Sequence, residues 1–112
     1  HEKIINVAWS DNRKLGADGK LPPVGNTVDL KTAKFTNDIG AVDLMGTFID
    51  SEFDATLPTL YYARVIDIPT PRWSTYDAVR NNLPLLEDVP STIQERAWSS
   101  PIWFVPKKEN EI

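Results

Sequence analysis

Few residues in this chain could carry chemistry. Histidine occurs once, at His1, and cysteine is absent. A hydrolytic zinc, iron or manganese centre gathers several His and carboxylate ligands, and one imidazole at the edge of the chain does not supply them. The same shortage removes Ser-His-Asp and Cys-His mechanisms, while the lack of cysteine removes disulfides and thiolate metal sites. Gly16-Ala17-Asp18-Gly19-Lys20 places glycines near a lysine but lacks the spacing of a phosphate loop and the Ser or Thr that should follow the lysine. The most site-like cluster is Asp50-Ser51-Glu52-Phe53-Asp54, whose alternating acids resemble the opening of a calcium loop. Ala55 stands where the sharp-turn glycine belongs, and Tyr61 where the bidentate Glu belongs, so a solvated loop is the better reading. A carboxylate pair for glycoside hydrolysis is formally available, as it is in nearly any acidic domain. We therefore expect this stretch of chain to be no enzyme by itself, with no catalytic residue, no cofactor and no metal.

The remaining chemistry belongs to arginines and aromatics. Trp9, Trp73, Trp98 and Trp103 could form a sugar-stacking platform, but each buries a large apolar area and such residues more often anchor cores or interfaces. Arg72 beside Trp73, and Arg96 close to Trp98, could be anion ligands. The preferred alternative is a guanidinium stacked on an indole or paired with Asp77, Glu87 or Glu95. Arg72, Trp73, Tyr76 and Arg96 are the candidate interface residues on these grounds.

The elements that must position them read mostly as short strands. Lys3–Trp9 is apolar and β-branched, a strand that ends before Ser10. Residues 11–26, with three glycines and Pro22-Pro23, form a long ordered loop in which Asp18-Gly19 is a turn dipeptide. Val28–Phe35 alternates and predicts a half-exposed strand or two short ones; Asn37–Gly40 is a turn, and Val42–Ile49 a third strand. Leu60–Ile68 is the clearest strand, stopped by Pro69. Ser74 is placed to cap a short helix running to about Asn82, with Asp77 in its first turn. Ala97–Val105 predicts a last strand in which Pro101 marks an edge or bulge.

Short strands joined by proline-rich turns predict an all-β fold, an immunoglobulin- or fibronectin-like sandwich, whole or incomplete. Tyr61–Ile68 should pair antiparallel with Trp98–Val105 across a long insertion, about residues 69–96, that contains the short helix. Burying the large residues of both strands offsets a closure cost that grows only slowly with length. Residues 107–112 read as a polar tail.

With 112 residues the chain is one domain at most. Sixteen acidic against twelve basic residues, with the basic ones scattered, argue against nucleic acid. No apolar run reaches the roughly 20 residues of a membrane helix. The opening HEKIINVAW lacks an initiator Met and enters a strand pattern at once, which reads as a chain cut from something longer. Its compartment is open, with a periplasmic or secreted setting slightly favoured over the cytoplasm.

Four blocks, AWSDNRK, KLPPVGNTVDL, IDIPTPRWSTYDA and IQERAWSSPIW, give the chain a specific resemblance. From about Glu2 to Pro106 it resembles the C-terminal region of a large bacterial family known as domain of unknown function 3604, itself similar to PHP-type metal-dependent phosphoesterases. The metal-binding residues of such proteins belong to an upstream catalytic barrel, and none of those motifs occurs here. Tyr62, Arg64 and Val65, then Trp98, Ser99, Pro101, Ile102 and Trp103, match the β-rich segment with which such proteins end. The resemblance implies a non-catalytic β-domain, residues 1–106, that packs on the catalytic barrel of a hydrolase of unknown substrate. The alternative is an independent carbohydrate- or ligand-binding module, with Trp73 and Tyr76 as its stacking surface. If the upstream domain is missing, the surface it leaves open favours self-association.

Overall fold

A computed structural model describes residues 1–108, so the end of the expected polar tail lies outside the described residues. The chain is mainly β, with small antiparallel sheets and one short helix. In chain order it runs β1 (Thr59–Tyr61), β2 (Arg64–Pro71), α1 (Trp73–Asn81), β3 (Thr92–Trp98) and β4 (Ile102–Phe104). β1 pairs with β4, and β2 with β3, each pair antiparallel.

The two ladders are successive parts of one ribbon. Leu60 lies opposite Trp103 and Tyr61 opposite Ile102, and then Arg64 lies opposite Trp98. Between these pairs one side advances three residues and the other four, so one extra residue is accommodated at Ser100-Pro101. Ser99 N–H donates to the Ala63 carbonyl at 2.9 Å, and Ser99 Oγ accepts from Ala63 N–H at 2.8 Å, which brackets the irregularity on its β3 side. Proline has no N–H for the ladder, so a bulge is where it costs least. Pro101 thus stands at a bulge, as its type predicts. A second slip, between Ile66 and Pro69, puts the extra residue on the other side and restores the original register.

The strands extend further toward the helix than the sequence predicts. Pro69 and Pro71 do not stop the strand; they lie opposite Gln94 and Thr92 inside β2. The reason is parity. Arg72 N–H donates to the Ser91 carbonyl at 3.1 Å, so the hydrogen-bonding positions near the end of the ribbon are Thr70 and Arg72, and the prolines occupy the alternate ones. The insertion shrinks accordingly, from about 69–96 to residues 72–91.

Helix α1 starts close to the expected place but is capped differently. Arg72 is the N-cap residue, with no side-chain cap, and the first turn has no acidic residue, so neither Ser74 nor Asp77 holds its expected position. Ser74 is buried inside the helix instead. Thr75 is fully buried, and its hydroxyl donates to the Ser91 carbonyl at 2.7 Å, tying the first turn to the start of β3. Asn82 takes the left-handed conformation at φ 54° and ends the helix.

The first half of the chain forms no expected strand. Lys3–Trp9 and Val42–Ile49 form no strand and lie in no ladder. They do run side by side in antiparallel order. Lys3 bonds Glu52 at 2.5 Å, a Cβ on Gly46 would come within 2.7 Å of the Val7 carbonyl oxygen, and Gly40 N–H donates to Asp11 Oδ2 at 2.8 Å. Val28–Phe35 closes on itself as a tight turn: Asp29 N–H donates to the Lys34 carbonyl at 2.8 Å, and Asp29 Oδ1 takes the N–H of Lys31. The 11–26 loop is ordered as expected. Arg13 donates to the carbonyls of Ser10 and Pro22, and Gly19 turns at φ 73°.

Little apolar side chain is hidden. The buried hydrophobic residues are Ala33, Ile68 and Ala78. The radius of gyration is 20.0 Å, against about 13 Å for a compact chain of this length. The accessible surface is 9853 Å², whereas a compact protein of 12.6 kDa exposes about 6,200 Å². No helix among the described residues is long and apolar enough to cross a membrane.

Candidate functional site

The residues singled out for chemistry are used mostly for structure. In the acidic loop, Asp50 accepts from Glu52 N–H at 3.0 Å and from the Tyr61 hydroxyl at 2.7 Å. The Tyr61 hydroxyl, followed by the Glu52 N–H, holds the Asp50 carboxyl below its ordinary range, and the same bond raises the Tyr61 phenol. Asp54 accepts from the hydroxyl and the N–H of Thr56, and its carboxyl is lowered for that reason. Glu52 pairs with Lys3. Each carboxylate is thus committed to a local turn or a neighbouring side chain. No three His, Asp or Glu residues among the described residues come together as a metal ligand set.

The loop also covers one face of the ribbon. Phe53 meets Phe104 edge to face, with ring centroids 4.8 Å apart, beside the Asp50–Tyr61 hydrogen bond. Tyr61 and Phe104 belong to the same face, since Thr59–Phe104 and Tyr61–Ile102 are cross-strand pairs two residues apart. The opposite face carries the pairs Leu60–Trp103, Arg64–Trp98 and Ile66–Arg96. No side-chain hydrogen bond or ion pair is made by Arg64 or Arg96 among the described residues; the one ion pair there is Lys3–Glu52.

The four candidate interface residues do not form one cluster. Arg72 is half-buried at the N-cap of α1, and its Nε is shielded from solvent without a hydrogen-bond partner. Trp73 projects outward and is 69% exposed. Tyr76 is half-buried under the Arg80 guanidinium, 5.6 Å from the ring centroid. Arg96 sits apart, in β3 opposite Ile66. The expected pairing of Arg72 and Arg96 with Asp77, Glu87 or Glu95, or their stacking on indole, is not found among the described residues. Trp98 and Trp103 are not core residues either: they are 58% and 67% exposed.

Two shallow depressions flank α1. The larger, of about 250 Å³, is lined by Leu30, Lys31, Ala78, Val79, Asn82 and Leu83 among others. The smaller, of about 110 Å³, lies against Trp73, Asp77 and Pro84. Neither gathers convergent polar groups of the kind that orient a small ligand. What the residues do assemble is an apolar face with arginines on it, which the alternation of single strands does not reveal. Its signal in the sequence is Ser100-Pro101, whose extra residue brings Trp98 and Trp103, five apart, to one side of the ribbon.

No curated protein and no solved structure matches this chain. One family model does, over residues 1–106, and its description is "Protein of unknown function (DUF3604)". The chain belongs to the DUF3604 family.

Proposed function

We propose that this chain is a non-catalytic C-terminal β segment of a larger bacterial protein, a PHP-like metal-dependent hydrolase, and that it packs on the catalytic barrel. The observation that carries the reading is surface. The chain exposes about 3,600 Å² more than a compact protein of its mass, several times the roughly 800 Å² that one partner contributes to a standard interface. A surface that large is typical of chains held by an obligate partner rather than of free modules. Residues 3–9 and 42–49, side by side without a ladder and with Val42, Met45 and Ile49 almost wholly exposed, fit strands that are completed by another body. In that setting the ribbon contributes to an immunoglobulin- or fibronectin-like sandwich whose remaining strands the parent protein supplies. The same surface argues against an independent sugar-binding module, which would have to fold alone. A periplasmic or secreted location remains the favoured one for the parent.

The test is removal of this segment from the longer polypeptide. The truncated protein should lose solubility or thermal stability by several degrees, with any phosphoesterase activity lost together with the fold. A truncated protein of unchanged melting temperature would contradict the packing role. A parent protein that binds no divalent metal would contradict the hydrolase setting alone.

A further inference from the structure

The ribbon has a docking face, and its composition constrains what covers it. Leu60, Arg64 and Ile66 alternate along one side; Trp103, Trp98 and Arg96 lie opposite them on the other. All six share a face because the extra residue at Ser100-Pro101 cancels the odd spacing between the two tryptophans. The apolar members are open: Leu60 is 41%, Ile66 52%, Trp98 58% and Trp103 67% exposed. The opposite side is where Phe53 and Asp50 already pack. Arg64 lies diagonal to Arg96 and Trp98 diagonal to Ile66, so cation and apolar group alternate like squares of a checkerboard.

We propose that this face, rather than the Arg72–Tyr76 region at the start of α1, is the surface by which the chain docks, and that its occupant is a protein surface presenting two carboxylates beside an apolar pocket. The inference rests on the packing reading and specifies which face does the packing. Buried guanidinium groups require paired acceptors, and arginine's planar fork selects carboxylates two oxygens at a time. Indole supplies the large desolvated anchor that such interfaces centre on. Phosphate of a nucleic acid would meet the same guanidinium groups, but the chain's net charge of -4 opposes a polyanion.

Hydroxyl-radical footprinting reads tryptophan exposure directly. It would be run on the longer polypeptide and on this 112-residue chain, the latter at concentrations where light scattering gives a monomer. In the longer polypeptide Trp98 and Trp103 should oxidise roughly tenfold more slowly than in the isolated chain, as burial of a large apolar ring implies, while Trp73 changes little. The double reversal Arg64→Glu/Arg96→Glu should restore most of the lost reactivity. Arg64→Lys/Arg96→Lys, which keeps charge but not the fork, should restore less. Unchanged hydrogen-exchange protection of β2 and β3 certifies that a variant is still folded.

Protection of Trp73 with Trp98 and Trp103 left open would overturn this face while leaving the packing reading intact. No protection anywhere would end both. Equal protection in the isolated monomer would mean that the chain covers the face by itself, and protection in the longer polypeptide that vanishes when it is diluted to its monomer would assign the face to a second copy; either contradicts the proposal. Protection that survives charge reversal would remove the carboxylates from the partner.

Discussion

Two halves of this chain carry similar patterns and meet different fates. Lys3–Trp9 and Val42–Ile49 are apolar runs that read as strands, as Leu60–Ile68 does, yet only the later segment enters a ladder. The difference is the partner. β2 finds β3 across a loop whose ends are tied, by the Thr75 hydroxyl and the Arg72 N–H, to one carbonyl at Ser91. The two early segments approach each other at Val7–Gly46 and Asp11–Gly40 without exchanging backbone hydrogen bonds. A period of two reports which side of a strand expects to be covered; it does not report whether the cover is present in the same chain.

The largest effect should come from a place where the halves are joined by close packing. Gly40 takes φ +81°, and a Cβ there would lie 2.6 Å from Ile68 Cγ2, on one of the few buried apolar side chains. Gly40→Val adds left-handed strain to overpacking, which together cost about 2–4 kcal/mol. Denaturant unfolding followed by tryptophan fluorescence should show the loss, and a neutral variant would mean that the Gly40–Ile68 contact does not couple the halves.

Within the later half, Thr75→Val keeps the shape and removes the hydroxyl that reaches Ser91. The Ser91 carbonyl retains its bond from Arg72, so the loss should be smaller, about 1–2 kcal/mol. Faster hydrogen exchange across α1, with β1–β4 unaffected, would localise it.

Association of the isolated chain should separate the two candidate surfaces. Light scattering should rise with concentration, and Trp103→Ala should weaken the rise about tenfold, the effect of truncating an interface anchor, while Trp73→Ala does less. A reversed order would return the interface to the start of α1.

The smallest effect concerns the clamp of the 50–54 loop on β1 and β4. The Asp50 carboxyl is lowered by the Tyr61 hydroxyl and then by the Glu52 N–H, so its contribution is present above the carboxyl's unfolded value. It is lost as the pH falls through the lower folded value. Acid should therefore loosen the Phe53–Phe104 contact, and Tyr61→Phe should flatten that pH profile with little change at neutral pH.

Much of the later half was legible because its signals are local. The strand at Leu60–Ile68, the helix near Ser74–Asn82 and the bulge at Pro101 follow from alternation, proline chemistry and helix propensity. Thr92–Arg96 was missed as strand because Gln94, Glu95 and Arg96 carry no apolar alternation, and the pairing with β2 alone orders them. Pro69 and Pro71 misled in the other direction, since their effect depends on parity against a partner that single-strand reading does not supply. The candidate residues fared similarly. Arg72, Trp73 and Tyr76 are neighbours in sequence and in space, whereas Arg96 joins Trp98 and Trp103 only through a register set by one extra residue.

The central claim is that another body completes what the early half leaves open. Backbone hydrogen exchange at residues 3–9 and 42–49, compared between the longer polypeptide and the isolated chain, tests it most directly. Slow exchange in the longer polypeptide and fast exchange in the isolated chain is the expected result, with β2 and β3 protected in both. Protection of the early segments in the isolated monomer, equal to that of β2, would show a self-sufficient sheet and contradict the claim.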